Sequence, residues 1–194
     1  MKFPKIIALL CAISISVLLN GCSSMSPSSG ALYSASDVSA LGNLPDIMTD
    51  AAQEGKIHFA VNPIEAVSVG ASAEYSTRTI YFTQPMLNMY KDGRINRNQM
   101  MWIIGHEIGH LNKKAAQFRG TSEEEDYCDM YSILLLDEMH DAGDPVDIRD
   151  AITYLKIAPG HGDSLHAHPA QRYANLVIQL NQWDRDRGHA PSAN

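Results

Sequence analysis

Cysteine is scarce in this chain: of 194 residues only Cys11, Cys22 and Cys128 are cysteines. Cys11 lies inside an N-terminal apolar stretch and Cys22 at its end. Cys128 is therefore alone in the remainder, and no intramolecular disulfide is expected there. Its apolar helical surroundings predict a small buried core residue. Basic charge is scarce too. Fifteen Lys and Arg against 22 Asp and Glu give a net charge of −7, which argues against nucleic acid, whose phosphates call for a basic face. No internal repeat is visible, so solenoid and propeller architectures are not expected. Beyond the N-terminus no further apolar run approaches membrane-spanning length.

The N-terminus has its own pattern. Lys2 and Lys5 precede the apolar stretch Ile6 to Leu19, and Leu19-Asn20-Gly21-Cys22 follows. This order resembles a bacterial lipoprotein signal: a positive start, an apolar segment short for a transmembrane helix, and a small residue before a cysteine. The resemblance implies that residues 1–21 are removed and that Cys22 carries lipid. Ser23 stands where an Asp would resemble an inner-membrane retention signal, so the implied location is the outer membrane, facing the periplasm. Removal would take Lys2 and Lys5 with it, leaving 173 residues with a net charge of −9. Residues 22–35, rich in Ser, Pro and Gly, read as a flexible tether. Residues 36–194 are expected to form one domain.

Within that domain the patterns predict an α+β fold, mainly helical, with a small early sheet. A short helix is expected around Asp46 to Gln53, and strands over Lys56 to Val61 and Ala66 to Gly70. Thr79 to Thr83 is the clearest strand, β-branched and aromatic, with Pro85 after it. It is either an interior strand or an edge to which an extended peptide adds. A long helix is predicted from about Asn96 to Phe118, stopped by Gly120. A second runs from Thr121 or Ser122 to Ala142-Gly143. Asp144-Pro145 offers a cap and a first-turn proline for a third, ending near Lys156. Residues 158–162 read as a loop. A last helix starts at Pro169, with Ala174, Leu176, Val177 and Leu180 on its apolar face, and the chain from Arg185 is expected to fray.

The most informative residues are His106-Glu107-Ile108-Gly109-His110, which read H-E-x-x-H after the apolar run Met100 to Ile104. Four residues is just over one helical turn, so the two histidines share a face and can grip one Zn²⁺, with Glu107 beside them as a base. A catalytic zinc needs a third protein ligand. The class that takes a His six residues later, with Gly midway, is excluded, because Lys113 and Ala116 occupy those positions. The alternative is a Glu from a following helix, and Glu123-Glu124-Glu125 opens one. Asp129 favours Glu125, lying one turn further on the same face, where it would accept a hydrogen bond from a ligating His. The competing role for Glu125 is a capping box with Ser122, as Thr121 pairs with Glu124. Glu124 is expected to serve as no more than a cap. Gly109, costly in mid-helix, is expected to let the second helix come close.

Taken together, His106-Glu107-x-x-His110, Glu125-x-x-x-Asp129, and His168-Pro169 with Arg172 resemble the zinc metallopeptidases typified by HtpX and the CAAX prenyl protease. The resemblance spans about Thr79 to Leu180. Cys128 stands where that family usually has Ala, and Arg172 is two residues nearer His168 than is usual. It implies a zincin-like domain with one Zn²⁺ per chain on His106, His110 and Glu125, Glu107 as general base, and Asp129 behind a ligand. His168 or His166 would stabilise the oxyanion or occupy the open zinc position, with Arg172 as a further active-site residue. It also implies a membrane-tethered endopeptidase acting on unfolded or misassembled exported proteins. The alternatives are a zinc-binding lipoprotein acting as chaperone or adaptor, with a protein partner, and a zinc hydrolase of non-peptide substrates.

Overall fold

A computed structural model describes residues 57–62, 70–158 and 167–187. The expected signal, tether and Cys22, the helix at 46–53, residues 66–69 of an expected strand, and His161 and His166 lie outside them.

The sheet has three strands, β1 (His58–Asn62), β2 (Ala71–Glu74) and β3 (Thr79–Thr83), in the order β1-β3-β2. β3 runs parallel to β1 and antiparallel to β2. Its β-branched and aromatic residues suit a central strand, and Ile80 and Phe82 are fully buried. Being paired on both sides, β3 has no open edge for an added peptide; it is the interior strand of the two alternatives. β2, made mostly of small residues, was not expected, and Gly70 immediately precedes it.

Thr83 leaves β3 and caps α1 (Gln84–Lys91), its hydroxyl accepting from the Met86 N–H, with Pro85 in the first turn. Pro85 thus starts a helix as well as ending a strand. α2 (Arg97–His110) begins at a full capping box, in which Asn96 and Gln99 each bond the other's backbone N–H. Every residue from Gln99 to Gly109 is buried, so α2 is the central helix. It ends at Leu111 rather than near Phe118. The Leu111 carbonyl accepts from Arg78 Nη1, and the Asn112 side chain takes the Lys114 N–H into a local turn. A short 3₁₀ turn at Ala115–Gln117 follows, and Gly120 turns the chain at φ 77°.

α3 (Ser122–Asp141) packs along α2. The expected third helix is two short ones, α4 (Ile148–Ala151) and α5 (Tyr154–Ile157). Asp147, not Asp144, caps α4; Asp144 is held instead by both terminal nitrogens of Arg97, at 2.9 and 2.8 Å. α6 (Pro169–Asp186) buries Leu176 and Leu180, whereas Ala174 is exposed. It stays helical past Arg185, and Arg187 pairs with Asp137 on α3. No helix among the described residues is long and apolar enough to cross a membrane.

Candidate metal centre

The crossing of α2 and α3 sets the site. A Cβ on Gly109 would lie 2.9 Å from Cys128 Cα, and one on Gly105 would lie 2.6 Å from Ser132 Oγ. Two glycines one turn apart on α2 thus meet Cys128 and Ser132, one turn apart on α3. Cys128 is fully buried, and burial pushes its thiol far up, so it packs rather than reacts. Ser132 donates to the Trp102 carbonyl at 2.7 Å, tying the two helices together.

This close approach brings the first turn of α3 against the last turn of α2. His106 Nε2 lies 3.2 Å from Glu125 Oε2, and His110 Nε2 lies 3.4 Å from Glu125 Oε1. The two Nε2 atoms are 3.3 Å apart. These three residues are the ones among the described residues whose ligand atoms converge as a metal would require. The separation of the two Nε2 atoms matches that of two ligand atoms on a tetrahedral ion. With metal–ligand bonds of about 2.0–2.1 Å, tetrahedral ligand atoms sit about 3.3 Å apart. Two imidazole nitrogens at this separation repel unless a proton or a metal ion lies between them, and the two imidazoles with a carboxylate are a donor set that fits a metal ion.

Each imidazole is held from behind. His106 Nδ1 meets Asp129 Oδ1 at 2.8 Å, and Asp129 in turn accepts from Arg172, whose Nε reaches Oδ2 at 3.0 Å. His110 Nδ1 meets Glu124 Oε1 at 3.0 Å. With the Nδ1–H of each ring donated to a carboxylate, both Nε2 lone pairs turn towards the common point. The carboxylates draw positive charge there. Burial opposes a charge on His106, but the hydrogen bonds to Asp129 and Glu125 outweigh it and its pKa is pushed up to about 9. Burial likewise opposes charge on Asp129, yet His106 and Arg172 hold its carboxyl below the usual value.

No family model matches the chain, and no curated protein does. The site is therefore judged on its geometry.

Glu107 is buried beside the triad, and among the described residues no group hydrogen-bonds its carboxylate. The structure does not gather every expected residue at the metal point. His168 is exposed and caps α6, Nδ1 accepting the Ala170 N–H at 3.2 Å. Its ligand atoms are not among those that converge. Arg172 spends its guanidinium on Asp129, with its Cζ 5.7 Å from the centre of the Trp102 ring. It acts on the site through Asp129, a consequence of lying one turn into α6.

Neither expected capping box forms. Thr121 caps α3 without a side-chain bond, its hydroxyl donating to the Phe118 carbonyl. Glu124 departs furthest from expectation. It is 8% exposed and accepts from His110 and from the Gly120 N–H. Trp102 and Tyr154 were also missed. The Trp102 ring lies 5.7 Å from that of His106 and 6.1 Å from that of Tyr154. Burial, then the nearby Glu107 charge, pushes the Tyr154 phenol up to about 12, so it stays a protonated donor at neutral pH. A tyrosine 48 positions from His106 carries no local signal of such a role.

Proposed function

We propose that the protein is a zinc-dependent endopeptidase of the bacterial cell envelope, of the HtpX and CAAX prenyl protease kind. Its zincin-like domain would be tethered through lipid on Cys22 to the outer membrane, and its substrates would be unfolded or misassembled exported proteins. The observation that carries this reading is the convergence of His106, His110 and Glu125 at 3.2–3.4 Å, with Glu107 buried beside them and hydrogen-bonded to no group among the described residues. A structural zinc site is closed by its ligands and needs no base; three protein ligands with a neighbouring carboxylate belong to hydrolytic chemistry.

Zinc bound there would supply the Lewis acidity that makes water attack at neutral pH and polarises a peptide carbonyl. The chain's own residues do the rest. Glu107 accepts the proton of the attacking water and passes it to the leaving amine. Asp129, braced by Arg172, keeps the His106 ring in one tautomer and one orientation. The burial of α2 around the site keeps the carboxylates in a medium where their charges act strongly.

Degradation of unfolded casein by the purified protein, with and without chelator, tests the reading. Chelator-sensitive cleavage, restored by zinc, is the expected result. Zinc binding without cleavage would favour the chaperone or adaptor role, and cleavage indifferent to chelator would refute the metal mechanism.

A further inference from the structure

Glu124 and Glu125 are consecutive on α3 and so project about 100° apart. Both nevertheless reach the same imidazole. Glu125 Oε1 lies 3.4 Å from His110 Nε2, and Glu124 Oε1 lies 3.0 Å from His110 Nδ1. The ring is thus held at both nitrogens by neighbouring residues. Glu124 also occupies the third position of α3, where a capping glutamate would accept the N–H of Thr121. That N–H instead bonds the Phe118 carbonyl, and Glu124 Oε2 accepts the Gly120 N–H at 2.7 Å. Gly120 has φ 77°, a conformation that side chains other than glycine's adopt at a cost. The turn at Gly120 aims a backbone donor at one oxygen of Glu124 and leaves the other for His110.

We propose that Glu124 is the positioning carboxylate of His110, as Asp129 is of His106, and that the Gly120 N–H holds it in place. Each ligating ring then has its own carboxylate, braced by a different donor: a guanidinium behind Asp129, a backbone amide behind Glu124. The proposal rests on the metal-centre reading and extends it to a residue with no place in the motifs. Its role is to keep Nδ1 protonated and the ring fixed, which leaves Nε2 as the ligand atom and strengthens it as a base. The arrangement also couples the metal to the segment between α2 and α3, because Gly120 closes that segment.

The test compares wild type with Glu124→Ala, Glu124→Gln and, as control, the exposed Glu123→Ala. Zinc affinity is measured by competition with a chromogenic chelator, and ligand geometry by the absorption spectrum of the Co²⁺-loaded chains. Glu124→Ala should bind zinc about 10–100-fold more weakly and shift the Co²⁺ bands, since the His110 ring is no longer oriented. Glu124→Gln keeps the shape and an amide oxygen that accepts from Nδ1–H. It should recover part of the loss and fall between wild type and Glu124→Ala, while Glu123→Ala matches wild type. Glu124→Ala with wild-type affinity and an unchanged Co²⁺ spectrum would overturn the proposal and leave the metal centre intact. Glu124→Gln binding no better than Glu124→Ala would also overturn it. Wild type that binds neither metal would overturn the metal-centre reading and this proposal with it.

Discussion

Replacing Gly109 with alanine sets two physical effects of opposite sign against each other. Helix propensity favours the change by about 1 kcal/mol, because glycine is the poorest interior residue after proline. Packing opposes it. The new Cβ would lie 2.9 Å from Cys128 Cα and 3.1 Å from both Cys128 Cβ and Sγ. Carbon atoms in ordinary contact are about 3.5 Å apart or more. A backbone atom cannot rotate out of the way, so α2 and α3 must part by about 0.6 Å at this point. Overpacking of this kind costs about 1–3 kcal/mol, leaving a net loss of about 1 kcal/mol after the propensity gain. The metal site feels the same displacement, because Glu125 lies one turn before Cys128 and His110 adjoins Gly109. Metal–ligand distances tolerate about 0.2 Å, so zinc affinity should fall about tenfold or more. Urea unfolding of the metal-free chain and chelator competition measure the two effects. Cys128→Ala should not rescue the variant, since the Cα remains, whereas Ser132→Ala should partly rescue Gly105→Ala by removing the Oγ at 2.6 Å. A Gly109→Ala chain about 1 kcal/mol more stable, with unchanged zinc affinity, would refute the close crossing.

Arg172→Ala leaves Asp129 buried without its cation, and should cost about 3 kcal/mol in urea unfolding. An effect below 1 kcal/mol would mean that His106 alone balances the carboxylate. Asn96→Ala removes one half of the capping box of α2 and should cost about 1 kcal/mol, with zinc content unchanged. Loss of zinc from that variant would show that the far end of α2 controls the site. Cys22→Ser should accumulate as an unlipidated, unprocessed precursor; normal maturation and membrane fractionation of the variant would contradict a lipid anchor.

What could be read from the sequence was local. β3 spans Thr79 to Thr83 as its β-branched and aromatic residues predict, and α3 ends at Ala142-Gly143, where a glycine takes up φ 96°. The two histidines of α2 meet because helical periodicity alone places them together. The elements that were missed depend on partners distant in the chain. β2 has no strand-forming residues of its own and exists by pairing with β3. α2 stops early, at a point where Arg78, 33 positions away, donates to the Leu111 carbonyl. Asp144 resembles a cap in sequence but is claimed by Arg97, 47 positions away. The site divides in the same way. Glu125 and Asp129 could be paired from their spacing of one turn. The contact of Glu124 with His110 depends on how closely α2 and α3 cross and on where Gly120 turns the chain. Neither is written in the local pattern around Glu124, which reads as a cap.

The most direct test of the account is the metal content and peptidase activity of Glu107→Gln beside those of wild type. The substitution keeps the shape of the side chain and removes its capacity to take a proton. Because Glu107 is not one of the three converging residues, both proteins should hold about one zinc per chain. Activity of the variant on unfolded casein should fall by about 100-fold or more. Wild type without zinc, or a zinc-loaded Glu107→Gln that cleaves as fast as wild type, would contradict the account.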